Sequence, residues 1–163
     1  MSAPPPATVA TPNAEVQAYA DANKAIMTDF GATLKRIAAR PIPKPPKNAT
    51  KRERREIFAR ELDAISVAAQ GALTRFDRLT PPPSMREIHG ASRDVVLTFR
   101  DTNSAYVAAI RRGDKKQADA LGDKVETDSR AAFVRLRGIL KAALIREGKT
   151  PVEAEALTAN VVL

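Results

Sequence analysis

The sequence predicts an all-α protein: an antiparallel up-down-up-down four-helix bundle with a short fifth helix at the C-terminal side. Three observations carry this. Apolar residues recur at helical spacing in four long stretches, and no stretch alternates with period two over a useful length. Helix-start and helix-stop signals separate the stretches. The connections are too short to run back along a whole helix. The 163 residues suit one domain. Its expected parts are a flexible Pro/Ala-rich tail over 1–11, the bundle over 12–148, and a short helix and tail over 149–163.

The first helix is expected from about Pro12 to Ala39, with Thr11 as N-cap and Pro12 at the first helical position. Val16, Tyr19, Ile26, Phe30, Leu34 and Ile37 form its apolar face. The run from Arg40 to Lys47 holds four prolines and cannot be helical. The second helix opens on Thr50 and Glu53, the spacing of a capping box. Phe58, Leu62, Ile65, Ala69, Leu73 and Phe76 make its face, and the segment from Thr80 to Pro83 is expected to end it. Ser84 and Glu87 repeat the capping-box spacing at the start of the third helix, whose face is Ile88, Val95, Phe99, Thr102, Tyr106 and Ala109. Gly113 reads as its left-handed stop and Asp114 as the cap of the fourth helix. There Leu121, Val125, Ala132, Leu136, Ile139 and Ala143 share a face up to Gly148. Thr150 and Glu153 make a last capping box, opening a short helix with Val152, Ala156 and Leu157 as its apolar side. The Pro-rich linker, at about 3.1 Å per residue, spans roughly 30 Å. The long helices exceed that, so the first two must run antiparallel.

Composition removes whole classes of function. There is no cysteine, so disulfides, thiolate metal sites, cysteine nucleophiles and covalently attached c-type haem are excluded. A single histidine disfavours multi-histidine metal sites, and no Glu-x-x-His pair supports a di-iron bundle. No apolar run is long enough to span a membrane. No metal and no cofactor is expected. The start of the chain lacks the basic and apolar regions of a secretory leader. It fits a cytoplasmic protein native from Met1, or an extracytoplasmic one whose leader was removed. The Ala/Arg-rich composition suits a bacterial protein.

The charge is strongly local. Ten basic residues lie between Lys35 and Arg60, opposed only by Glu53 and Glu56, and this surplus equals the formal net charge of +8. In an up-down bundle the turn bearing Arg111, Arg112, Lys115 and Lys116 lies at the same end. The expected anion-binding set is Lys44, Lys47, Lys51, Arg52, Arg54, Arg55, Arg111, Arg112, Lys115 and Lys116. A solvated surface would account for cations at helix C-termini, where the dipole favours them. It does not account for Lys51, Arg52, Arg54, Arg55, Lys115 and Lys116, which occupy first turns and oppose the dipole. The expected partner is an anionic macromolecule or surface: an acidic protein or an anionic membrane surface first, nucleic acid second. Nucleic acid ranks lower because aromatics are 4% of the chain and mostly fit core positions.

Other motifs fit structure better than chemistry. Residues 143–150 match a relaxed phosphate-loop pattern but continue a helix, with one glycine and no preceding strand. Arg112-Gly113-Asp114 spells an adhesion tripeptide but is also a helix turn. Arg40, Pro43 and Pro46 have the spacing of an SH3 ligand, and equally of a stiff spacer. His89 and Met85 share one helix face and cannot clamp a haem. Met27 is more simply core, and His89 is expected to pack on the Thr80–Pro83 turn. Asn23 and Asp128 fall in core register at similar height, with Ser66 and Thr98 near the same level. These four predict a mid-bundle polar layer, which either fixes register or lines a small-ligand pocket. No catalytic constellation is evident.

Taken together, Pro81-Pro82, His89 and Gly113-Asp114 resemble bacterial extracytoplasmic helical-bundle domains of unknown function, often lipoproteins. The resemblance covers residues 80 to 145 and rests on short motifs. It implies a helical bundle outside the cytoplasm, and such domains have no established catalytic residues to carry over. The reading that follows is a non-enzymatic binding or scaffolding module with a basic pole. The alternatives are an extracytoplasmic bundle holding a small ligand at the polar layer, and a nucleic-acid-associated accessory protein.

Overall fold

The computed structural model describes residues 14–159. Four long helices, α1 (Ala14–Ala38), α2 (Lys51–Phe76), α3 (Arg86–Arg112) and α4 (Lys115–Arg146), are followed by the short α5 (Pro151–Thr158). No strand occurs among the described residues. Consecutive helices pack against one another, so the architecture is the expected antiparallel bundle. It is open on one side: α3 is sandwiched between α2 and α4, while α1 rests mainly on α2 and makes no close backbone approach to α4. The Pro/Ala tail, Thr11 and Pro12 lie outside the described residues, as do residues 160–163.

The helix boundaries follow local chemistry. At α2 the Thr50 N–H donates to Glu53 Oε2 at 2.7 Å and the Glu53 N–H donates to Thr50 Oγ1 at 3.2 Å. Thr150 and Glu153 repeat this at α5. Gly113 adopts φ 74° and closes α3, and Asp114 caps α4 by accepting from the Gln117 N–H at 3.0 Å. Gly148, at φ 92°, follows α4.

Three expectations are corrected. First, α2 ends at Phe76, before the Thr80–Pro83 segment; Asp77 is its C-cap and the Leu79 N–H donates to the Phe76 carbonyl at 2.9 Å. Thr80, the residue before Pro81, is disfavoured in the helical region, so the helix cannot run on into the proline segment. Second, Ser84 is not an N-cap. Pro83–Met85 form a 3-10 turn and Met85 occupies the cap position of α3 without a side-chain hydrogen bond. The proline run sets this turn, which takes Ser84 out of the extended conformation that a cap requires. Third, α5 is rotated. Val152 is 79% and Leu157 60% exposed, whereas Ala154 and Thr158 are buried. Small Ala154 is fully buried, and Glu155 reaches across to Arg137 and Lys141 of α4, which fixes the rotation.

The main core joins Ile26, Phe30 and Leu34 of α1 to Leu73 and Phe76 of α2, Val95, Val96 and Phe99 of α3, and Phe133 and Leu136 of α4. Phe99 is central: its ring meets Phe30 edge-on at 5.5 Å and Phe133 at 6.1 Å. A second cluster, Ala59, Val107 and Ile110, packs with Phe58, Leu62 and Tyr106. Because α3 has neighbours on both sides, its buried face is wider than the single predicted stripe. It takes in Ala91, Ser92, Val96, Asn103, Val107 and Ile110, while Thr102 and Tyr106 are only half-buried.

Candidate functional site

The basic pole is formed by the C-terminal turn of α1, the linker, the start of α2 and the α3–α4 turn. α1 ends on Lys35 and Arg36, and α3 ends on Arg111 and Arg112. The start of α2 and the α3–α4 turn meet at one contact. Arg55, in the second turn of α2, lays its guanidinium over Gly113, where a Cβ would fall 2.8 Å from Nη1. Only the missing side chain allows that approach.

The structure divides the expected anion-binding residues by what holds them. Arg111 bridges Glu56 and Asp63 of α2, each at 3.2 Å. That pairing keeps the Arg111 guanidinium protonated to higher pH than usual and lowers the Glu56 carboxyl. Arg54 donates to the linker carbonyls of Ala49 and Lys47, tying the Pro-rich segment to α2. Arg55 is half-buried on the turn. Arg112 donates to Gln117 at 2.7 Å, and Lys115 pairs with Asp119 at 2.6 Å. Lys44, Lys47, Lys51, Arg52 and Lys116 are exposed, and their side chains have no partner among the described residues. They are the free cations of the expected set.

Beside them is an apolar hollow of about 450 Å³ under the linker. Ile37, Ile42 and Phe58 line it, with Lys35, Arg40 and Glu61 at the rim. Ile42 is 53% exposed, an apolar side chain held open to solvent amid cations. Sequence reasoning missed this hollow. Its signal was the isolated Ile42 between Pro41 and Pro43, which periodicity cannot place.

The polar layer is not assembled as expected. Ser66 is buried but its partner is Asn103 on α3, whose Nδ2 donates to Ser66 Oγ at 2.9 Å and to the Leu62 carbonyl at 2.8 Å. Thr98 is only half-buried and turns back to the Asp94 carbonyl at 2.8 Å, satisfying itself within its own helix. Asp128 lies on the flank of α4, bound by Lys124 at 2.6 Å; Ser129 is the buried residue there. Asn23 is buried on α1, 5% exposed. It lies one turn from Tyr19, whose pKa is raised by burial, and its Nδ2 has no hydrogen-bond partner among the described residues. Asn103 was legible in the sequence: it stands four residues from both Phe99 and Val107.

His89 is half-buried on α3. Its Nδ1 lies 2.5 Å from the Tyr19 hydroxyl and its ring meets Phe76 edge-on at 5.7 Å. Burial, with Arg93 nearby, lowers its pKa and favours the neutral ring, whose Nδ1 shares a hydrogen bond with the Tyr19 hydroxyl. Met27 packs against the main core. Among the described residues no group of three acidic, histidine or cysteine side chains could hold a metal, and no helix is long and apolar enough to cross a membrane. Comparison of the chain with protein-family models, curated proteins and solved structures gave no match.

Proposed function

We propose that this protein is a non-enzymatic binding or scaffolding module whose basic pole docks on an acidic protein segment. One observation carries the reading: exposed cations without partners crowd the end of the bundle that also holds an exposed apolar hollow. Lys51, Arg52 and Lys116 stand in first helical turns, where each works against the backbone field by about 0.3–1 kcal/mol. Folding alone gives no reason for them. The hollow around Ile42 and Phe58 favours a peptide over a bare polyanion, because an apolar anchor flanked by carboxylates fits both features. Phe58, the aromatic that lines the hollow, is half-buried against the second core cluster, which weighs against base stacking on single-stranded nucleic acid.

The test is binding of a fluorescent Glu-rich peptide carrying one leucine, measured by anisotropy at several salt concentrations. Binding should weaken as salt rises, because screening acts over about 10 Å at 0.1 M. Replacing Lys44, Lys47, Lys51, Arg52 and Lys116 with glutamate should abolish binding while the circular dichroism spectrum stays helical. Unchanged binding by that variant would refute the reading. Tighter salt-sensitive binding to phosphatidylglycerol vesicles, or to duplex DNA, than to the peptide would reassign the partner.

A further inference from the structure

The open side of the bundle exposes a second concave surface. A groove of about 820 Å³ runs between α1 and α4, within the size range of natural small-molecule sites. Met27, Ile88, Phe133, Leu136 and Leu140 give it an apolar floor. Its polar groups are few and one-sided. Lys24 and Lys35 stand at the edge, exposed and with no ion-pair partner among the described residues. Among the described residues no carboxylate lines it. Asn23 also lines it, 95% buried by its 5% exposure, with Nδ2 unpaired. A buried donor without an acceptor is costly to leave unmade. An anionic oxygen entering beside Lys24 would supply that acceptor.

We infer that this groove binds a long-chain fatty carboxylate, its chain along the apolar floor and its head at Asn23 and Lys24. The groove follows α1 from Ala20 to Lys35, about 22 Å at the helical rise. That length suits an extended acyl chain better than a compact metabolite. A negatively charged head is expected, because both charged groups that line the groove among the described residues are lysines. This site is separate from the docking reading of the pole and does not depend on it.

The experiment is titration of the full chain with oleate, followed by displacement of a fluorescent fatty acid and by native mass spectrometry. One oleate should bind saturably. Thr28→Trp and Ala32→Trp, two exposed positions on the groove wall, should each weaken binding at least tenfold while the thermal melt stays cooperative. Asn23→Leu and Lys24→Glu should weaken it about tenfold, and oleyl alcohol should bind about tenfold worse than oleate. Lack of saturable binding overturns the inference, as does binding unaffected by both tryptophan variants or equal binding of the alcohol. A dimer broken by Thr28→Trp would give the groove to a second copy. Binding that appears only after deletion of residues 161–163 would give it to that segment. Either result overturns the fatty-acid assignment. Peptide binding at the pole is measured in parallel, so failure of one site is distinguishable from failure of the other.

Discussion

Gly113→Ala separates two roles that meet at one atom pair. Gly113 has φ 74°, and an added Cβ would lie 2.8 Å from Arg55 Nη1 and 2.9 Å from its Cζ. A side chain in the left-handed region costs about 1–2 kcal/mol by itself. The clash falls on the end of a flexible arginine, so Arg55 swings away. That loses its favourable position at the C-terminus of α3, about 0.3–1 kcal/mol. Rehydration of its Nε, buried without a partner, offsets part of the loss. The total is about 2 kcal/mol, a fall of roughly 4–8 °C in Tm for a chain of this size. Urea unfolding of the single variants and of Gly113→Ala with Arg55→Ala closes a double-mutant cycle, with an expected coupling of about 0.5 kcal/mol. The displaced Arg55 also joins the free cations. Gly113→Ala should therefore bind the acidic peptide more tightly while being less stable. Equal cost in both backgrounds together with unchanged peptide binding would refute the contact between Arg55 and the turn.

Asn103→Ala removes two hydrogen bonds from a residue 1% exposed, at about 0.5–1.5 kcal/mol each, so urea unfolding should show a loss of about 2 kcal/mol. Thermal melts across pH should show stability falling as pH drops below about 6.5, because the His89 pKa is lowered in the fold and the unfolded chain takes up the proton first. The fall should level off below the folded value, and His89→Gln should flatten it. A second loss is expected below about pH 4.3: hydrogen bonds from Thr50 and Thr150 hold Glu53 and Glu153 low, so their contribution disappears as pH falls through the folded values. Hydrogen exchange should be faster in α1 than in α3, since α1 has one close neighbour and α3 has two; equal protection would contradict the open bundle.

How much of this was legible in the sequence depends on what each signal physically requires. Capping at Thr50, Thr150 and Asp114 and the stop at Gly113 are local, and they are where the sequence placed them. Ser84 failed because three prolines upstream imposed a 3-10 turn before its side chain could act. The rotation of α5 was not legible, because eight residues offer too few apolar positions to define a face and ion pairs to α4 decide it. The clustering of cations could be read from topology. Their division into held and free residues could not, since it depends on Glu56, Asp63 and Asp119 lying within reach in space. The polar layer failed for a related reason. Core register gives the height of a residue but not its rotation, and Thr98 and Asp128 rotate to helix flanks.

That division changes which residues can test the pole. Arg54, Arg55 and Arg111 tie the linker, the turn and α2 to one another, so removing them confounds docking with folding. Lys51, Arg52 and Lys116 carry no such contacts. They are held in place by nothing that folding requires, and each opposes a helix dipole. Replacing all three with glutamine should therefore stabilise the protein, by about 1–3 kcal/mol if the three costs add. The same variant should lose most of its affinity for an acidic partner. A stability threshold that tolerates such a cost is ordinary when the destabilising groups serve binding. Urea unfolding and peptide anisotropy on the one variant decide the matter. If stability rises and affinity is unchanged, the free cations are a solvated surface. If stability falls, these three cations make contacts within the fold and are not free. Only a gain in stability with a loss of binding fits a pole kept cationic for a partner.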